Sequence, residues 1–82
     1  MELNDHEAVL KEIGQKLTDL RKKNGHTSYE TFAIEHNLSR MQYWRIEKGK
    51  TNITVKSLVR ILNIHGVKID DFFREEELSR NT

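Results

Sequence analysis

Arg40, Met41 and Arg45 recur at spacings of one, four and five, which keeps the three on one face if the segment is helical. Ser39 ahead of them is of the type that caps a helix N-terminus, so Arg40 falls in a first turn. There the helix dipole disfavours a cation by a few tenths of a kcal/mol to about 1 kcal/mol. That cost is offset if the guanidinium meets an external anion or the edge of a guanine. Lys56 follows Thr54 by two residues and is again a cation in a first turn, where a phosphate would relieve the placement. A merely solvated helix surface is the alternative reading of the same stripe.

Other reactive side chains form no constellation. His6, His26, His36 and His65 have no partner at metal-ligand spacing, and His65 falls on an apolar face, as a packed core histidine does. Asp70-Asp71 and the acids at 75–77 point apart on a helix and read as solvated charge, not as paired catalytic carboxylates. There is no glycine-rich phosphate loop and no nucleophile elbow. The expectation is a protein that is not an enzyme, with no metal and no cofactor.

The chain has 82 residues, 35% hydrophobic and 33% charged, which suits one small domain with an economical core. It lacks cysteine, so neither a disulfide framework nor a cysteine zinc site staples it. No apolar run exceeds three residues, as in Phe32 to Ile34, too short for a membrane span or a signal-peptide core. A cytoplasmic protein with no membrane partner is expected. The net charge is only +1, but it is unevenly spread. Residues 1–20 carry two lysines against five acids, 21–60 nine basic residues against three acids, and 61–82 three against five. A basic middle between acidic ends is a field with one attractive face for a polyanion.

The elements that must position these residues are helical. Asn4 with Glu7 has the form of a capping box ahead of Leu10, Ile13, Leu17 and Leu20, whose spacings of three and four mark one face of a first helix. Asn24-Gly25 ends it, after Arg21, Lys22 and Lys23 in the last turn. Thr27 and Ser28 compete to cap a second, short helix that stops near Asn37. Ser39 caps a third that ends at Lys48-Gly49, and Thr54 a fourth that ends at Gly66. A fifth starts near Ile69 with Asp70 and Asp71 in its first turn. The reading is all-α with five helices, residues 1–74 forming the domain and 75–82 a polar, frayed tail.

Only residues 36 to 39 or so join the second and third helices, and so short a connection forces a steep corner. The corner needs a small residue inside the first helix, met by Ala33, and a residue tolerating positive φ four positions on, met by Asn37. Leu38, Tyr43 and Ile46 point back to close it.

From about Ile13 to Phe73, three-quarters of its length, the chain resembles the phage-repressor and Cro-like (XRE) class of helix-turn-helix regulators. The most telling stretch is SYETFAIEHNLSRMQYWRIEKGKTN. Ser39-Arg40, Ile46-Glu47 and Gly49-Lys50-x-Asn52 match the family pattern without gaps, and Gly66 to Phe73 looks like the family's entry into its last helix. Three positions depart from the pattern. Asn37 replaces the usual turn glycine, Ile53 replaces a usual proline, and the connection from Gly25 to Ser28 is one residue longer.

The resemblance implies a compact lambda-repressor-like fold and a sequence-specific DNA-binding transcriptional regulator, a repressor, whose third helix (about 39–48) lies in the major groove. Carried over by position, Arg40, Met41, Gln42 and Arg45 contact bases. Arginine suits guanine O6 and N7, glutamine suits adenine, and methionine a thymine methyl. Ser28, Tyr29 and Ser39 at helix starts, with Lys48, Lys50, Asn52 and Lys56 around the next loop, contact the backbone of double-stranded DNA. Half-buried packing is the alternative for Tyr29. Arg21 and Glu47 are implied to form a partly buried structural ion pair.

A homodimer is expected because one helix reads few base pairs, with Phe72 and Phe73 as a source of apolar surface. A second reading is the antitoxin of a toxin–antitoxin pair, in which a toxin is the protein partner and DNA binding only autoregulates. A third is a helical domain without DNA affinity. Trp44 falls beside the base-reading stripe, where the family commonly has a small or polar residue, and the sequence assigns it no role.

Overall fold

A computed structural model describes residues 4–74. The tail expected at 75–82 lies outside the described residues. Four helices are α1 (His6–Lys23), α2 (Tyr29–Glu35), α3 (Arg40–Glu47) and α4 (Val55–Ile64), and a fifth, α5, covers 69–74. The described residues contain no strand.

Cap chemistry sets the helix starts. Ser28, Ser39 and Thr54 each accept a hydrogen bond from the backbone N–H three residues on, at 3.2, 3.3 and 3.0 Å. The first helix differs from expectation by one residue. Asp5, not Asn4, is its cap, with Oδ1 accepting from the N–H groups of Glu7 and Ala8 at 3.0 and 3.4 Å. Both residue types cap well, but a charged carboxylate also gains from the dipole at the N-terminus.

The core is built where α1 and α2 pack against α3, with apolar residues of α4 and α5 joining the same cluster. Leu17, Phe32, Ala33, Tyr43, Leu58, Ile61, Leu62 and Phe72 are buried, and Ile13, Leu20, Leu38 and Ile53 pack against them. Phe72 is thus a core residue at 1% exposure, not a source of surface, and of the phenylalanine pair only Phe73 is exposed, at 46%. Lys16 of α1 donates to the Phe72 carbonyl, and its ammonium sits 4.3 Å from the centre of the Phe72 ring, which ties α5 to α1.

Two backbone features fix the corner. Asn37 has φ 58°, a left-handed conformation that lets the chain turn between α2 and α3. The Leu38 N–H then donates to the Ala33 carbonyl at 2.8 Å, closing the α2 terminus. Gly14 lets α1 lie directly on the end of α3. A Cβ there would fall 2.4 Å from the Glu47 carbonyl oxygen and 2.6 Å from that of Ile46.

Candidate nucleic-acid interface

Helix α3 turns Tyr43, Ile46 and Glu47 inward, so its opposite face is what remains for recognition. Met41 and Arg45 lie exposed on that face, and Arg40 and Gln42 lie exposed at its two flanks. Met41 is 63% exposed, a position for an apolar side chain that packing in this chain does not explain. No acid occupies the first turn of α3, so Arg40 sits unfavourably against the dipole within its own helix. Its nearby anion is Glu30 of α2, with Arg40 Nη1 3.7 Å from Glu30 Oε2.

The residues expected on the DNA backbone fall into two sets along the chain. Ser28 and Ser39 use their side-chain oxygens as acceptors in the caps, which leaves each hydroxyl proton free to donate outward. Tyr29, next to Ser28, is half-buried against the core, so packing takes part of its ring. Lys48, Lys50, Asn52 and Lys56 form the second set, all exposed, running from the C-cap of α3 through the loop to the first turn of α4. Lys50 extends over Trp44, its ammonium 5.9 Å from the ring centre, and half-buried Trp44 thereby braces the loop that follows α3.

Arg60 was missed in the sequence and has a structural role. Its Nη2 donates to the carbonyls of His36 and Asn37 at 3.2 and 3.1 Å, so α4 satisfies the open end of α2. One cation of the basic middle is thereby engaged within the protein. Between α3 and the loop at 51–54 lies a groove of about 340 Å³, floored by Leu38, Tyr43, Ile46, Ile53 and Ile61. It contains no pair of acid and base groups.

Arg21 and Glu47 join α1 to α3. Arg21 Nε and Nη2 donate to the two Glu47 oxygens at 2.7 and 3.1 Å, and Nη1 donates to the His26 and Thr27 carbonyls at 2.7 and 2.9 Å. Both side chains are 5% exposed. The hydrogen bonds Arg21 donates to Glu47 hold the guanidinium pKa above its ordinary value, against the opposing effect of burial. Tyr43 lies beside this pair, its hydroxyl buried with no hydrogen-bond partner, and burial pushes its pKa upward.

Three histidines surround Phe32 at the far side of the corner. His65 stacks on the ring at 5.2 Å and 3°, while His26 and His36 meet it at 5.1 and 4.7 Å. An amide nitrogen of Asn24 lies 2.9 Å from His65 Nδ1, and His65 Nε2 is buried without a partner. Burial lowers the His65 pKa, and the neighbouring His26 and His36 lower it further. Among the described residues no group of three or more His, Cys, Asp or Glu side chains could hold a metal ion. No helix there is long and apolar enough to cross a membrane.

No family model matches the chain. It is 36% identical over 65 residues to the control protein C.MunI from a Mycoplasma species, an alignment spanning 79% of this chain and 88% of that protein. It is 42% identical over 45 residues to the plasmid copy control protein CopR from Streptococcus agalactiae, spanning 55% of this chain and 49% of that protein. In three dimensions it is similar to the restriction-modification controller protein C.AhdI from Aeromonas hydrophila. The TM-score is 0.72 at 28% identity, over 84% of this chain and 99% of that one. Neither sequence relative is named as an antitoxin, and the antitoxin reading gains nothing from them.

Proposed function

The chain belongs to the phage-repressor and Cro-like (XRE) class of helix-turn-helix transcriptional regulators, a DNA-binding regulator and not an enzyme, and from that premise we propose how it reads DNA. Helix α3 enters the major groove, with Arg40, Met41, Gln42 and Arg45 on base edges. Ser28, Tyr29, Ser39, Lys48, Lys50, Asn52 and Lys56 hold the flanking phosphates. The observation that carries this is the outer face of α3: two arginines, a glutamine and a largely exposed methionine stand where the fold has no use for them.

The regulator acts in the cytoplasm on duplex DNA, as a homodimer on a two-fold site, and represses transcription. Val59 at 36%, Ile69 at 36% and Phe73 at 46% exposure on α4 and α5 supply apolar surface for a second copy. Similarity to a restriction-modification controller supports control of genes of that kind as the more specific reading.

Selection of bound duplexes from a random pool tests the reading directly. A recovered site with two-fold symmetry is expected, with affinity falling steeply between roughly 50 and 200 mM salt and a logarithmic slope near −3 for three or four phosphates per protomer. Absence of any retained duplex at low salt would exclude groove docking. Run-off transcription from a promoter carrying the site then separates repression from activation.

A further inference from the structure

We propose that Glu30 is a positioning residue for Arg40, and that this pair makes the regulator discriminate against random DNA. The inference rests on the assignment of Arg40 to a base edge. Glu30 stands in the first turn of α2 and Arg40 in the first turn of α3, and they meet across the corner at 3.7 Å.

Stability does not account for this contact. The two side chains are 55% and 61% exposed, and ion pairs that open to water contribute little to folding. Nor does Glu30 suit DNA by itself. It is the only acid in the first turn of α2, next to the cap of Ser28, on the surface where phosphates are placed. A bare carboxylate there repels the duplex.

The geometry of the guanidinium resolves the conflict. Its five N–H donors form a rigid fork, and bidentate recognition of guanine O6 and N7 occupies two of them. A remaining edge can keep the carboxylate. On a guanine site Arg40 therefore serves the base and Glu30 together, with its plane held by Glu30 and its long stem restricted to fewer rotamers. On random DNA Arg40 is drawn instead to the nearest phosphate, and Glu30 is left facing a polyanion without a counter-charge. Glu30 thus lowers affinity for wrong sequences more than for the right one, which is how specificity arises from a repulsive group.

The test is a double-mutant cycle with Glu30→Gln and Arg40→Ala, titrated against the selected duplex and a scrambled one, with folding checked by circular dichroism. Glu30→Gln should tighten binding to scrambled DNA and lower the selected-to-scrambled ratio by roughly fivefold or more, the low end of what one bidentate base contact provides. Repeated selection should show relaxed preference at the base pair assigned to Arg40 and unchanged preference at that assigned to Arg45. In the Arg40→Ala background the Glu30 change should no longer alter the ratio. If Arg40→Ala lowers the ratio while Glu30→Gln leaves it unchanged, or shifts both duplexes by one common factor, the role of Glu30 is overturned and Arg40 stands. If Arg40→Ala itself leaves the ratio unchanged, the base assignment fails, and this inference with it.

Discussion

Arg21 and Glu47, separated by 26 residues, meet in a buried two-pronged ion pair that fixes the C-terminal end of the recognition helix to α1. Removing one partner leaves the other charged and buried. Glu47→Ala or Arg21→Ala should therefore cost about 3–5 kcal/mol, read from urea denaturation midpoints. Replacing both by apolar residues of similar volume should cost far less than either single change, because no orphaned charge remains. A mild Glu47→Ala beside an Arg21→Ala as damaging as the double variant would mean that the His26 and Thr27 carbonyl contacts of Arg21, not the ion pair, supply the stability.

Gly14→Ala offers a test of sign. In an exposed helix the change would add up to about 1 kcal/mol of stability through propensity. Here the new Cβ meets two backbone carbonyl oxygens at 2.4 and 2.6 Å, which cannot rotate aside. The overpacking penalty, about 1–3 kcal/mol, should win, and the protein should melt at a lower temperature. DNA affinity should fall as well, since α3 must shift away from α1 to admit the methyl group.

What the sequence made legible, and what it did not, follows from the range of the interactions. Ser39 and Thr54 act within one turn, and Asn37 within one residue, so type and position sufficed to place them, whereas Thr27 and Ser28 were two competent neighbours of which Ser28 is the cap. Asp5 against Asn4 turned on a single residue of phase between two competent caps. Gly14, the Arg60 contacts with the α2 carbonyls and the Glu30–Arg40 pair depend on how separate helices approach each other, which no local pattern encodes. Phe72 and Phe73 were indistinguishable as neighbours of one type, and the packing of α5 on the core decided which is buried. Within the candidate interface, the exposed face of α3 was legible because Tyr43 and Ile46 already claimed the other.

Stability should decline on acidification through His65. Its pKa is lowered in the folded state from the ordinary 6.5, so the folded protein binds a proton there less readily than the unfolded chain does. The contribution is intact above about pH 6.5 and is lost as the pH falls through the lower folded value. A proton on His65 would also confront His26 and His36 around Phe32, with Glu47 offering a smaller opposing effect. Melting temperatures measured from pH 7.5 to 5 should drop for the parent chain. His65→Phe, which keeps a ring on Phe32 but cannot titrate, should show a shallower decline; an identical slope would remove His65 from the explanation.

Base reading and phosphate holding separate in a second comparison. Arg40 and Arg45 project from the outer face of α3, whereas Lys50 and Lys56 lie on the loop after α3 and at the start of α4. Alanine at Arg40 or Arg45 should cost about 1–3 kcal/mol per half-site on the selected sequence, and on scrambled DNA only what the lost charge contributes. Alanine at Lys50 or Lys56 should weaken both duplexes by similar factors and reduce the salt slope by about 1, one phosphate contact being gone. Lys50 also touches Trp44, so Lys56 is the cleaner probe of the two. Titrations of each variant against selected and scrambled duplexes at two salt concentrations make the comparison. Matching profiles for Arg40→Ala and Lys56→Ala on both duplexes would show that α3 does not read bases through Arg40, even in a protein that binds DNA.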